Sequence, residues 1–577
     1  MELAGMSRHS SFVDQCIHFA LKSAIGALIR RSNDTTTSLG FPYSIGAVGF
    51  LKDFSPMSEQ RQNPTSQDFS MIEDDSSASA ALCASESGSS SELHQDDDWN
   101  GEGDTLHEEC GVFGIVGADD AAALTALGLH ALQHRGQEAA GIATYDGEHF
   151  HLERRFGLVG DNFSNSDVLE RLPGNVSIGH NRYSTAGGAG LRNVQPLFAE
   201  LEGGGIAVAH NGQFTNAMTL RRSLIKRGAI FQSTSDSEVV LQLIAKSRES
   251  DIIDRFIDAI RQMEGGYALV ALTRKKLIGA RDPLGIRPLV LGDLNGSPVF
   301  ASETCALDMI GAKFVREVKN GEVIVCTKED GIRSFHPFAE RPARLDIFEY
   351  IYFSRPDSFI AGRSVYEVRK SLGAELAKEC PLDVDVVVPV PDSGVPAALG
   401  YAQEIGIPFE LGIVRNHYVG RTFIEPTQQI RALGVRLKHS ANRSQVEGKR
   451  IVLVDDSLVR GTTSSKIVQM MRDAGAKEVH MLLASPPITH SDFYGIDTPD
   501  RKKLLAAQMN LESMRKYIGA DSLGFVSIDG VYRACGFDRR NPDAPQFTDH
   551  CFTGDYPTDL VDFEGEENHR APGLLKD

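Results

Sequence analysis

Apolar and polar positions follow two different rhythms along the chain. From residue 110 to about 340, short apolar runs recur between glycine-containing turns: CGVFGIVG (110–117), VSIGHNRYST (176–185), GIAVAHNGQF (205–214), YALVALT (267–273), KKLIGAR (275–281), SPVFAS (297–302) and GEVIVCT (321–327). Runs of this length, rich in branched residues and bounded by turn residues, predict strands. Helical spacing occupies DDAAALTALGLHALQHRG (119–136) and SDSEVVLQLIAKSRE (235–249). Many strands with few helices among them predict two packed sheets with helices outside, an α+β arrangement.

From about residue 350 the rhythm becomes strand–helix–strand. DVDVVVPVP (383–391) is followed by the helical VPAALGYAQEIG (395–406) and then PFELGIV (408–414). After a polar, basic connection come KRIVLVDDS (449–457), the helical TSSKIVQMMRDAGA (463–476) and EVHMLLAS (478–485). Continuous Val/Ile/Leu strands alternating with helices predict an α/β domain whose parallel sheet is buried on both faces. Beyond about 500, KKLLAAQMNLESMRKYIG (502–519) predicts a helical appendage before a polar tail. The expected organisation is therefore an N-terminal extension (1–109), a first domain (110–340), a second domain (345–495) and a C-terminal helical segment and tail (496–577).

Composition changes this picture mainly at the N-terminus. Residues 71–104 are serine-rich and acidic, with no Lys or Arg. Such a stretch buries too little apolar surface to offset chain entropy, and disorder is expected. CIHFALKSAIGALIRRSN (16–33) lacks the ordered parts of a secretory signal. An organellar address or a translation start nearer Met71 are the two readings left open. The net charge of −19 argues against a general nucleic-acid binder. No apolar run approaches the length of a membrane span. The eight cysteines are scattered without a CxxC pair, so a reducing, cytoplasmic setting is expected.

Cys110 opens a strand after the polar HEEC (107–110). Cleavage just before it would place its thiol beside its own α-amine, a base of near-neutral pKa able to activate the thiol. CGVFGI (110–115), LQHRGQEAAGI (132–142), GHNRYSTAG (179–187), AHNGQFTN (209–216) and STSDSE (233–238) together resemble the glutaminase domain of N-terminal-nucleophile amidotransferases. The resemblance implies an αββα sandwich. It implies that Arg182 pairs with the glutamine α-carboxylate and Asp236 with its α-ammonium. It makes the Asn211 side-chain amide and the Gly212 backbone N–H the oxyanion hole. An Asn-Gly pair also favours a tight turn, and the turn and the oxyanion hole are expected to coincide. Gln213 and Asn181 depart from the commonest family pattern at positions that supply no catalytic atom.

In RIVLVDDSLVRGTTSSKIVQMM (450–471), Gly461-Thr462-Thr463 lead into a helix N-terminus, where free N–H groups attract phosphate. Asp455 and Asp456 end the strand, at the edge where α/β sheets bind ligands. Adjacent carboxylates there suit ribose hydroxyls and a hard cation such as magnesium. The segment resembles the ribose-phosphate signature of type I phosphoribosyltransferases. That likeness implies that Asp455, Asp456, Ser457, Arg460, Gly461, Thr462 and Thr463 bind phosphoribosyl pyrophosphate, and that Ser393 in PVPDSGVPAA (389–398) lies with Asp455 and Asp456 near one Mg2+. The connection NHYVGRTFIEPTQQIRALGVRLK (416–438) looks like the loop that closes over substrate. Arg415, Arg421, Arg431 and Lys438 in and beside it suit a pyrophosphate leaving group.

Glutaminase followed by phosphoribosyltransferase resembles the amidophosphoribosyltransferases. The implied reaction takes glutamine, phosphoribosyl pyrophosphate and water to phosphoribosylamine, glutamate and pyrophosphate, the committed step of purine synthesis. Purine nucleotides as inhibitors, internal passage of ammonia and a homo-oligomer, tetramer or dimer, are implied with it. Glucosamine-phosphate synthase, asparagine synthetase and glutamate synthase share the first half but not VDDSLVRGTTS (454–464). A non-catalytic sensor of phosphoribosyl pyrophosphate would not need Cys110, Arg182, Asn211, Gly212 and Asp236 together. Many family members hold a [4Fe–4S] cluster on four cysteines. The motif positions here carry Asp346, Asp492, Thr548 and Cys551. A single thiolate cannot hold such a cluster, so no iron–sulfur cluster is expected.

Overall fold

The computed structural model describes residues 110–183, 190–327, 330–416 and 439–563. All of them lie within one compact unit, His94–Asp577. The readings made for residues 1–109, and for Arg421, Arg431 and Lys438, fall outside the described residues.

The first half contains two antiparallel sheets. Seven strands run in the order Lys313–Glu317, Val290–Leu294, Ser297–Ala301, Gly111–Val116, Val176–Arg182, Ala139–Tyr145, Phe150–Phe156. Six run in the order Gly331–Phe335, Val323–Thr327, Leu277–Arg281, Gly265–Thr273, Gly204–Phe214, Leu197–Leu201. Val112, Ala143, Ile178 and Phe300 of one sheet meet Ala207, Ala209, Val270, Leu272 and Ile324 of the other. The outer face of the larger sheet is covered by Ala121–Ala131 and Thr304–Ile310, whose Ala126, Leu129 and Leu307 join its core. Ser237–Lys246 covers the smaller sheet with Val239, Val240, Leu243 and Ile244. The layering is helix, sheet, sheet, helix, as expected.

Two helices beyond those anticipated, Ala217–Lys226 and Ile252–Ile260, lie on the same outer layer. The second has Ile253, Phe256, Ile257 and Ile260 buried at helical spacing. Its start is fixed by Asp251, whose Oδ1 accepts from the N–H of Ile253 at 2.7 Å.

The second half has a four-stranded parallel sheet in the order Val386–Pro389, Arg450–Asp455, Glu478–Leu483, Ser522–Phe525. Alternate residues serve opposite faces. Val387, Val452, Val454 and Leu482 pack under Val365–Glu379 and Val395–Ile405, while Val386, Val388, Leu453 and Met481 pack under Thr462–Asp473 and Leu511–Ile518.

Two expectations change here. PFELGIV (408–414) is not a full strand of the parallel sheet. It touches the sheet by one parallel bridge, Phe409 to Val387, and Ile413–Arg415 turns away to pair with His439–Ala441. Glu410 and Gly412 break the apolar run that a doubly buried strand needs. Nor is 496–577 purely a helical appendage and tail. Ser522–Phe525 supplies the fourth parallel strand. Residues near 560 return to the first half, where Asp562 accepts from the N–H groups of Met218 and Thr219 at 2.6 and 2.9 Å. No helix among the described residues is long and apolar enough to cross a membrane.

The halves are joined by buried charge. Arg135 is fully buried, with its guanidinium against Glu303 of the first half and Glu349 of the second. Glu303 also accepts from the Arg355 N–H at 2.9 Å and the Ser358 hydroxyl at 2.6 Å. Burial alone would raise the Glu303 carboxyl. His134, Arg135 and Ser358 outweigh that and hold it below the usual carboxylate range. A depressed carboxyl contributes stability above its unfolded pKa, and the contribution is lost as pH falls through the acid range. Arg135→Leu removes the cation shared by two buried carboxylates and is expected to destabilise the fold by about 3–5 kcal/mol. A melting temperature unchanged from the parent protein would show that the arginine does not hold the joint.

Candidate active sites in the two halves

Cys110 stands one residue before the strand Gly111–Val116, the middle strand of the seven. Its thiol is buried, and Sγ donates to the Tyr183 carbonyl at 3.6 Å. Burial pushes this thiol up to about 11, against the opposing pull of the Tyr183 contact and the Arg182 charge. At neutral pH it is therefore a thiol and needs a base to become a nucleophile.

Arg182 ends the adjacent strand, whose register sets Gly111 opposite Asn181. Asp236 immediately precedes the helix Ser237–Lys246. Both are nearly buried, and Cys110, Arg182 and Asp236 act on one another electrostatically. Burial lowers the Arg182 guanidinium, countered by Cys110, Glu138 and Asp236. Glu138 belongs to this group but carries no signal of its own within LQHRGQEAAGI. Asp236 Oδ2 accepts from the Phe214 N–H at 3.1 Å, which ties it to the end of the strand Gly204–Phe214.

Asn211 and Gly212 lie on that strand and not in a tight turn. They continue an unbroken antiparallel register, Asn211 opposite Ala268 and Gly212 opposite Tyr267. The turn expectation is corrected for a packing reason: the pair sits within an apolar run buried between layers, in a strand that continues on both sides of it. Glycine is still required. Gly212 has φ +122°, and a Cβ there would lie 2.1 Å from the Gly266 carbonyl oxygen. Asn211 is fully buried, and neither its Oδ1 nor its Nδ2 has a hydrogen-bond partner among the described residues. An unsatisfied buried amide costs on the order of 1–3 kcal/mol, and both polar atoms of Asn211 are open to a ligand atom.

In the second half Asp455 ends its strand and Asp456 begins the loop. The Asp456 carboxylate is clamped from both sides. The Ser393 hydroxyl donates to Oδ1 at 2.5 Å and the Ser457 hydroxyl to Oδ2 at 2.7 Å. The Asp456 N–H donates to Asp455 Oδ1 at 2.9 Å. Gly461, at φ +79°, turns the chain into the helix Thr462–Asp473. Arg460, Thr462 and Thr463 flank this turn, so the structure brings every described residue expected of the phosphate loop to the C-terminal edge of the parallel sheet. Arg415 ends the short strand Ile413–Arg415, its Nη1 paired with Asp392 Oδ2 at 2.5 Å.

Asp346, Asp492, Thr548 and Cys551 also come together. Asp346 pairs with Thr548 in a short parallel bridge. His550 Nε2 lies 2.8 Å from Asp492 Oδ1 and 3.4 Å from Cys551 Sγ. Asp492, His550 and Cys551 present donors within 4.8 Å of one another, a mixed oxygen, nitrogen and sulfur set able to hold a single cation. Cys551 is the one thiol of the four motif positions, so this donor set does not fit a four-thiolate cluster. Charge is supplied instead by Arg287, whose guanidinium is 3.5 Å from Asp346 and 3.8 Å from Glu349. Burial raises the Asp346 carboxyl. Burial works the same way on Asp492, but His550 and Arg287 outweigh it and hold that carboxyl down. His550 was not legible as a partner beforehand; only its place next to Cys551 could have flagged it.

Comparison with known proteins agrees with both halves. A glutamine amidotransferase domain family matches residues 180–309, and a phosphoribosyl transferase domain family matches residues 364–484. An amidophosphoribosyltransferase from Rhizobium etli is 69% identical over 479 residues, covering 82% of this chain and 97% of the relative. A chloroplastic amidophosphoribosyltransferase from Arabidopsis thaliana is 52% identical over 468 residues, covering 81% of each. Among solved structures, the glutamine phosphoribosylpyrophosphate amidotransferase of Bacillus subtilis, complexed with ADP and GMP, superposes with a TM-score of 0.74 at 46% identity. It covers 78% of this chain and 98% of that one. The chain belongs to the amidophosphoribosyltransferase family.

Proposed function

We propose that the chain converts glutamine, phosphoribosyl pyrophosphate and water to 5-phosphoribosylamine, glutamate and pyrophosphate, the first committed step of purine biosynthesis. The observation that carries the first half-reaction is the buried, unpartnered amide of Asn211 beside Gly212, on a strand tied to Asp236. Asp236 takes the α-ammonium of glutamine, and Arg182 forks onto its α-carboxylate. The Cys110 thiolate attacks the side-chain amide carbon. The developing oxyanion is held by Asn211 Nδ2 and the Gly212 N–H. Collapse expels ammonia, and water then cleaves the thioester to glutamate.

The base is the α-amine of Cys110 itself, which exists only when the peptide bond to Glu109 has been cut. Removal of the preceding residues is part of this reading. Ammonia then displaces pyrophosphate from the ribose carbon. Asp455 and Asp456 receive the ribose hydroxyls, and Ser457, Arg460, Gly461, Thr462 and Thr463 cradle the 5-phosphate at the helix start. Arg421 pairs with the pyrophosphate of phosphoribosyl pyrophosphate. The donors of Ser393, Asp455 and Asp456 are all hard oxygens, which fit Mg2+, and each Asp456 oxygen has lone pairs left beyond its serine. A magnesium ion there would neutralise the departing pyrophosphate. Purine nucleotides inhibit at this second site, the working form is a homo-oligomer, tetramer or dimer, and the setting is cytoplasmic.

Four outcomes test this reading. Cys110→Ala should abolish glutamine-dependent phosphoribosylamine formation and keep ammonia-dependent formation; loss of both would put the division of labour wrong. Intact mass should show Cys110 as the N-terminus of every glutamine-active preparation. Asn211→Ala should lower the glutaminase kcat by about 10²–10³-fold with little change in KM, the loss typical of one oxyanion donor. Anaerobically purified protein should lack stoichiometric iron and sulfide, and a broad brown absorbance would contradict that.

A further inference from the structure

The oxyanion strand touches more than its own half. Gly495, at φ +126°, lies so close that a Cβ on it would sit 3.0 Å from Gly212 Cα and 3.1 Å from Gly212 C. Gly495 belongs to the segment after the parallel strand Glu478–Leu483, in the phosphoribosyltransferase half. The backbone of one half therefore abuts the proposed oxyanion glycine of the other.

That contact is held rigidly. Asp492 Oδ2 accepts from three consecutive N–H groups, Tyr494 at 2.8 Å, Gly495 at 2.8 Å and Ile496 at 2.7 Å. Three backbone donors on one carboxylate oxygen fix the turn and favour the charged carboxylate. The Tyr494 carbonyl accepts from Arg287 Nε at 2.9 Å. The Arg287 N–H in turn donates to Asp282, whose own N–H donates to the Tyr267 carbonyl at 2.9 Å. Tyr267 is the register partner of Gly212. Turn and oxyanion strand are thus anchored to the same residue from two directions. The Tyr494 ring, fully buried against Leu284 and Ile286, closes the remaining side.

We propose that the 492–496 turn sets the position of the Gly212 N–H, with Asp492 as the positioning residue and Gly495 as the point of contact. An oxyanion donor works by being aimed before charge develops, so a displacement well under 1 Å is enough to weaken it. This inference rests on the assignment of Asn211 and Gly212 to the oxyanion hole, and its test separates the two.

Gly495→Ala and Asp492→Asn are compared with Asn211→Ala in the processed full-length protein. Four readouts are taken: glutaminase kcat, glutamine KM, inhibition by the aldehyde analogue of glutamine, and ammonia-dependent phosphoribosylamine formation. The aldehyde adds to Cys110 and places its oxygen in the oxyanion hole. Gly495→Ala should lower kcat and aldehyde affinity together by about 10- to 100-fold. Glutamine KM and the ammonia-dependent rate should stay within about twofold. Asp492→Asn keeps the side-chain shape and should show the same pattern at about 3- to 10-fold. Unchanged kcat and aldehyde affinity in both, with Asn211→Ala impaired, overturns the inference. A parallel fall in the ammonia-dependent rate also overturns it, since that would be general damage. An unimpaired Asn211→Ala removes the oxyanion assignment itself, and the inference with it.

Discussion

A fully buried arginine between two buried carboxylates is the constraint on which the two-site arrangement depends. Arg135 cannot be removed cheaply, because Glu303 and Glu349 come from opposite halves and neither has water to fall back on. A hydrophobic seam of equal area could slide. A charged joint with fixed hydrogen-bond directions cannot, and that gives the two sites one relative placement. A second buried set, Arg287 with Asp346 and Glu349, continues the same seam toward Asp492 and His550.

The proposed chemistry of the first half depends on three strands agreeing in register. Cys110 precedes one, Arg182 ends its neighbour, and Asn211 with Gly212 lies on a strand of the facing sheet. The dense interior that allows this also raises the Cys110 thiol pKa, since burial disfavours the thiolate. The proposed α-amine of Cys110 would supply a base on the same residue, with no second side chain required.

Much of this was legible in the sequence. The two-sheet and parallel-sheet architectures follow from the change in hydrophobic rhythm near residue 350, and the motif residues gather where strands and helices begin or end. What was not legible has physical reasons. Asn-Gly favours turns in isolation, but tertiary burial held residues 211 and 212 in a strand. Ser522–Phe525 is too short to announce itself, and it is a strand only because Glu478–Leu483 offers an open edge. Glu138 and His550 carry no local pattern, because a charge partner is defined by neighbours distant in sequence.

The turn that meets Gly212 also acts as a measuring line. Asp455 is paired with Leu483, and Gly495 reaches the oxyanion strand. The chain between them runs from 483 to 495, a stretch of 12 residues. Fully extended, such a stretch spans at most about 40 Å. On the proposed assignments, the place where ammonia is released and the place where it is consumed are leashed by a short covalent tether. A molecule as small and as easily protonated as ammonia has little distance in which to be lost.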